Sequence, residues 1–255
     1  MQFSDNEIEA LIADIYNGDI SVDSLPENLY RAIGKYIERG VYEGYGGTIA
    51  EFEGSRLELL ESLRENVWLF SGAKTYHTVN AMSSGMINED GELRSLKEFK
   101  EFAAKEFDLI NKDWAKTEYE TAIGQAQSAE KWQSMKESGT RRVRFSAVMD
   151  SNTTDICAAL DGHVFDINDP ELDVISPENH YNCRSVLIEE LDDEAVTAGR
   201  DEAAQSVIDQ MQDSFKMNPG KSGEIFSKDH PYFTEIAKSD REAANENFGF
   251  DIPEK

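Results

Sequence analysis

The ten residues Ser138-Gly139-Thr140-Arg141-Arg142-Val143-Arg144-Phe145-Ser146-Ala147 mark the point at which the chain changes its period. Ser138-Gly139-Thr140 is a breaker. From Arg142 to Ala147 apolar and polar residues alternate, as a half-buried strand requires. Upstream, apolar residues recur at helical spacing. Leu96, Phe99, Ala103, Phe107, Ile110 and Trp114 are spaced 3, 4, 4, 3 and 4, one face of a helix. That spacing places Trp114 in the core and predicts that Trp114→Asp disrupts packing. The pattern continues through the small residues Ala122, Ala126 and Ala129 to Trp132, which would let another helix approach closely. Asn111 and Gly124 are candidate kinks or breaks within it.

Further upstream, Ser4 or Asp5 caps a helix from about Glu7 to Tyr16, stopped by Asn17-Gly18. Leu25-Pro26 opens a second helix with Leu29, Ile33, Tyr36 and Ile37 on its apolar face. A third apolar stretch runs from Leu57 to Phe70, and an ambiguous one continues to Met86. Downstream of the switch come turns, Leu160-Asp161-Gly162 among them, and a second strand over Arg184–Ile188. Glu189 to Glu194 reads as a solvated helix start, Asn218 to Gly223 as a loop, and Tyr232 to Asn245 as a final short helix. The fold class is therefore α+β. An elongated, mainly α-helical N-terminal part precedes a compact α+β module with a short sheet and a helical acidic tail. The segments are residues 1–91, 92–137 (the long amphipathic segment), 138–190 (the module) and 191–255.

The chain has 255 residues, with 25 Lys plus Arg against 51 Asp plus Glu, a formal charge of −26. Such a chain is repelled by phosphate backbones and anionic membranes, which speaks against nucleic acid and membrane as partners. No apolar run approaches the about 20 residues of a membrane span, and Met1 to Asn6 does not read as a signal peptide. Arg141, Arg142 and Arg144 form the one local positive cluster. In so acidic a chain they are expected to pair with carboxylates such as Asp150, Asp161 or Asp166.

Site chemistry concentrates between Asp150 and Arg184, which hold both cysteines and two of the four histidines. His180-Tyr181-Asn182-Cys183 places two metal-ligating types on one tight turn, and Cys157 offers a third ligand from a preceding turn. Thiolate and imidazole suit zinc. Asp155 is the first candidate for a fourth ligand, with Asp150 and His163 as others. The competing readings are two buried free thiols, a Cys157–Cys183 disulfide, and a Cys183–His180 nucleophile pair without an orienting third group. The chain has no phosphate-binding G-x-x-x-x-G-K-[ST] loop, no H-E-x-x-H helix and no zinc-deaminase signature.

The string Arg144…Asp150…Thr154…Cys157…Ala159-Leu160-Asp161-Gly162…Phe165…Pro177…His180-Tyr181-Asn182-Cys183-Arg184 resembles the signature of the phage Mu F-like head morphogenesis (minor capsid) proteins. The helical lead-in with Trp114, Glu118, Thr121 and Trp132 is similar as well, so the resemblance covers about residues 70 to 190. Some members of that family carry C-x-x-C where this chain has Thr154 and Cys157, and a cysteine where it has Ser185. The motif residues Asp150, Leu160, Asp161, Gly162, Asn182 and Arg184 are assigned a structural role.

The resemblance implies a non-enzymatic virion component, made in the host cytoplasm. It would sit at the portal vertex or head interior, touch portal protein or inner capsid subunits, and aid procapsid assembly or genome delivery. Two alternatives stay open at this point. One is a metal-dependent enzyme acting on nucleic acid or phosphate esters, motivated by Cys157, His180 and Cys183. The other is an acidic binding protein that mimics DNA, motivated by the charge.

Overall fold

In a computed structural model that describes residues 3–190 and 195–254, the period switch stands where the sequence places it. Helices α1 (Asp5–Asn17), α2 (Glu27–Tyr45), α3 (Gly54–Ser84), α4 (Leu96–Asp108) and α5 (Trp114–Ser138) precede strand β1 (Arg142–Ser146). A short helix α6 (Asp155–Leu160), strands β2 (Val164–Asp166) and β3 (Val186–Glu189), and helix α7 (Arg200–Ile208) follow. The sheet is antiparallel in the order β2-β1-β3, with Val143 opposite Phe165 and Phe145 opposite Leu187. The architecture is α+β.

Local chemistry explains the helix ends. Ser4 caps α1 by accepting from the Glu7 N–H, while the Glu7 carboxylate accepts from the Ser4 N–H at 2.8 Å. Ser95 and Glu98 repeat this reciprocal cap on α4. Gly18 closes α1 in the left-handed conformation, φ 83°. Helix α3 has no single apolar stripe because it is buried on several faces. Trp68, Phe70, Ser71, Lys74 and Thr75 are all at 0% exposure. That is why the stretch after Phe70 reads ambiguously in the sequence.

The described residues fall into two compact units, neither continuous in sequence. One comprises the chain up to Ile37, Trp68–Tyr119 and Tyr232–Glu254. In it the apolar faces of α1, the first turns of α2, the part of α3 from Trp68 onward and α4 form the core, from Ile12 and Ile33 to Phe99 and Phe107. The last residues of the chain belong here too. Phe250 stacks on Tyr30 with ring centroids 4.2 Å apart, and the Asn247 side-chain amide donates to the Tyr30 hydroxyl at 3.2 Å. The expected helix over Tyr232 to Asn245 is two single turns, Pro231–Thr234 and Arg241–Asn245. The other unit comprises Glu38–Val67 and Glu120–Pro231. Its core gathers Trp132, Met135, Val143, Phe145, Phe165 and Leu187 around the sheet, with Ala204 and Val207 of α7. The boundaries at 91, 137 and 190 do not coincide with these units.

Several expectations are corrected. Trp114 is 44% exposed, although the stripe before it (Phe99, Ala103, Phe107, Ile110) is buried. The cause is a π-helical turn over Leu109–Asp113, closed by the Trp114 N–H donating to the Leu109 carbonyl. The wider turn inserts one residue, and the buried face resumes at Ala115 rather than Trp114. Asn111 sits in this turn and donates to the Thr78 hydroxyl at 3.2 Å. Trp114→Asp is therefore expected to shift stability by less than about 0.5 kcal/mol in urea melts, while Ala115→Asp, at 2% exposure, costs about 3 kcal/mol or more. Gly124 is no kink, since α5 runs through it unbroken. Glu189 ends β3 instead of starting a helix, and Leu191 to Glu194 lie outside the described residues. Asn218 to Gly223 contains one helical turn, Pro219–Ser222. Strand β2 has no counterpart in the sequence reading. Of the arginine cluster, Arg144 pairs with a carboxylate as expected, that of Glu190 at 2.6 Å.

Candidate functional site

The residues of the motif converge at one end of the sheet. Thr154 caps α6, its hydroxyl accepting from the Cys157 N–H at 3.3 Å. This cap fixes the first turn of α6 and points Cys157 inward, 3% exposed. Leu160 is fully buried at the far end of that helix. Asp161 accepts the Ala147 N–H on its carboxylate at 2.8 Å, tying the end of α6 to the end of β1. Gly162 then turns with φ 77°, a conformation that favours glycine, and its N–H reaches the Phe145 carbonyl at 2.9 Å. The Leu-Asp-Gly element is thus an anchor, a staple and a turn that leads into β2.

The second half of the motif is a tight loop. The Cys183 N–H donates to the His180 carbonyl at 3.2 Å, and Asn182 takes φ 59°, which folds Cys183 back beside His180. Arg184 forms a bidentate pair with Asp150, both contacts at 2.7 Å. That pair holds the carboxyl of Asp150 well below the usual carboxylate range.

These two loops bring Cys157, His180 and Cys183 together, their ligand atoms all within 4.8 Å of one another. The Cys157 sulfur is 3.2 Å from His180 Nε2 and 3.6 Å from the Cys183 sulfur. Both cysteines are free and buried. Asp155 is exposed and its carboxylate is not within that distance of all three. Asp150 is engaged by Arg184, and His163 Nδ1 is 3.2 Å from the Leu160 carbonyl. Two hydroxyls stand at the cluster instead. Thr154 Oγ1 is 2.9 Å from His180 Nε2, and the Ser185 hydroxyl contacts the Cys157 sulfur.

The two sulfurs behave as a pair that shares one proton. The bond from Cys183 draws Cys157 down to about 6, and that same bond, with burial, pushes Cys183 up to about 12. His180 is raised, first by its contact with the Cys183 sulfur. Glu178, which the sequence reading passed over, is pushed up to about 9 by burial and then by the charge of Cys183. It lies against Gly124, where a Cβ would stand 2.2 Å from a Glu178 carboxyl oxygen. Nothing in a single sequence couples a helix glycine to a glutamate 54 positions later.

The space beside the cluster decides what it can do. The cleft lined by Thr154, Cys157, His180, Arg184 and Ser185 holds about 10 Å³, room for about one water. A larger concavity of about 390 Å³ in this unit is bordered by Glu178, Ser185 and Leu187, but by none of the three clustered residues.

A family model described as "Phage Mu protein F like protein" matches residues 76–188, less than half of the chain. No curated protein and no solved structure shows significant similarity to the chain.

Proposed function

From the similarity of residues 76–188 to the phage Mu protein F-like family, we propose that the chain is a minor structural protein of the phage head, bound at the portal vertex or on the inner capsid. In this reading the chain takes part in phage head morphogenesis and bridges other head subunits during procapsid assembly or genome delivery. The match over 76–188 carries this reading. Apolar side chains available to such partners include Ile87, Leu93 and Trp114, which are 51%, 63% and 44% exposed. The water-sized cleft at the cysteine cluster favours a structural over an enzymatic role. Among the described residues no helix is long and apolar enough to cross a membrane. Cross-linking with mass spectrometry on assembled particles is expected to join this chain to portal or inner capsid subunits. Particles that contain the chain but yield no such cross-link would refute the assignment.

A further inference from the structure

We propose that Cys157, His180 and Cys183 hold one Zn²⁺, with a single water beside Thr154 and Ser185 as the fourth ligand, and that this ion pins the first turn of α6 to the loop leading into β3. The inference does not depend on the role in the phage head.

The distances fit a tetrahedral ion. Two sulfurs each about 2.3 Å from one zinc stand about 3.8 Å apart, and a sulfur and an imidazole nitrogen about 3.5 Å. The observed separations are 3.6 Å between the sulfurs and 3.2 Å between the Cys157 sulfur and His180 Nε2. A disulfide needs about 2.05 Å, and both thiols are free. The histidine is already oriented. His180 Nδ1 is 2.9 Å from the Tyr181 carbonyl, which only accepts, so Nδ1 carries the proton and Nε2 keeps its lone pair for the shared centre.

The ligand set also selects the metal. Two thiolates and an imidazole are soft donors that favour zinc over magnesium or calcium, and two thiolates cancel its charge inside a largely buried site. The fourth position is defined by the cleft of about 10 Å³ that Thr154, Cys157, His180 and Ser185 share. It has room for about one water and brings two hydroxyls to hold it. Such a site is closed to substrate. Its role is mechanical: α6 has only six residues and the His180 to Cys183 loop has no regular structure, so both gain a covalent-strength anchor.

The full-length protein, purified without chelator, is the material for the test. Elemental analysis with thiol titration is expected to give one zinc per chain and two reduced cysteines. Cobalt replacement is expected to give the ligand-field absorption of a tetrahedral site together with a thiolate charge-transfer band. His180→Ala and Cys183→Ser should weaken zinc binding by about a hundredfold or more, whereas Asp155→Ala leaves it within about twofold. Ser185→Cys, which adds a third thiolate next to the Cys157 sulfur, should tighten binding by about tenfold or more. The cobalt spectrum of the unaltered chain keeps the test decisive if a variant fails to fold. The proposal is overturned by a metal-free chain whose two thiols react equally fast with and without added zinc. A Cys157–Cys183 disulfide, an octahedral cobalt spectrum, or a loss of binding in Asp155→Ala overturns it as well.

Discussion

Lys74→Met is expected to destabilise the protein by about 3–5 kcal/mol, although it replaces a charged side chain with an apolar one of similar length. Lys74 is completely buried in α3. Its ammonium pairs with Glu118 of α5 and donates to the Ile110 carbonyl in the π-helical turn at 2.7 Å. It also lies 5.9 Å from the centre of the Tyr232 ring. Burial drives both partners toward neutrality, lowering Lys74 and raising Glu118, and the pair holds only because each offsets the other. Removing Lys74 leaves a buried carboxyl with no cation and a carbonyl without this donor. The remaining Glu118 then has a folded pKa above its unfolded value. Its stabilising contribution is full below the unfolded pKa and is lost as pH rises through the folded one. The loss measured in urea melts should therefore be smaller at about pH 5 than at about pH 8. Lys74→Met/Glu118→Leu, which removes both charges, should recover most of the stability. Equal losses in the single and double variants would show that the pair contributes nothing specific.

Gly44→Ala is expected to cost about 2 kcal/mol, and Gly44→Val clearly more. Gly44 lies near the end of α2, and a Cβ there would sit 2.2 Å from the Ile123 carbonyl oxygen of α5 and 2.9 Å from its carbonyl carbon. These are backbone atoms, so no rotamer change relieves the clash and one helix must move. Overpacking of this kind costs about 1–3 kcal/mol or more, while alanine returns about 1 kcal/mol in helix propensity. A Gly44→Ala protein as stable as the parent would mean that these helices separate at no cost. The small residues Ala122, Ala126 and Ala129 are all fully buried, in keeping with the close helix approach their size suggests.

What was legible in the sequence was whatever local chemistry decides. The cap at Ser4, the stop at Gly18 and the alternation at Arg142 to Ser146 depend on neighbours within a few residues. The grouping of Cys157 with His180 and Cys183 was legible too, because ligand spacing and a tight turn are local properties. The place of Asp155 was not. Asp155 is close in sequence, but the cap geometry of α6 sends Cys157 inward and leaves Asp155 in solvent. Strand β2 escaped because three residues carry too little alternation to show a period; its register against β1 defines it. Trp114 was misplaced because spacing assumes a constant pitch, and one π turn shifts every residue after it.

By itself the sequence determined the α+β class, the switch at Ser138 and the motif from Asp150 to Arg184, since period, capping and turn chemistry act along the chain. Tertiary structure alone decided which residues share a core. It folded the last residues, through Phe250 and Asn247, into the unit of the first helices, and set Lys74 against Glu118 and Gly44 against Ile123. Those pairings are fixed by burial, excluded volume and the cost of an unpaired charge, and they act between residues whose distance along the chain carries no signal.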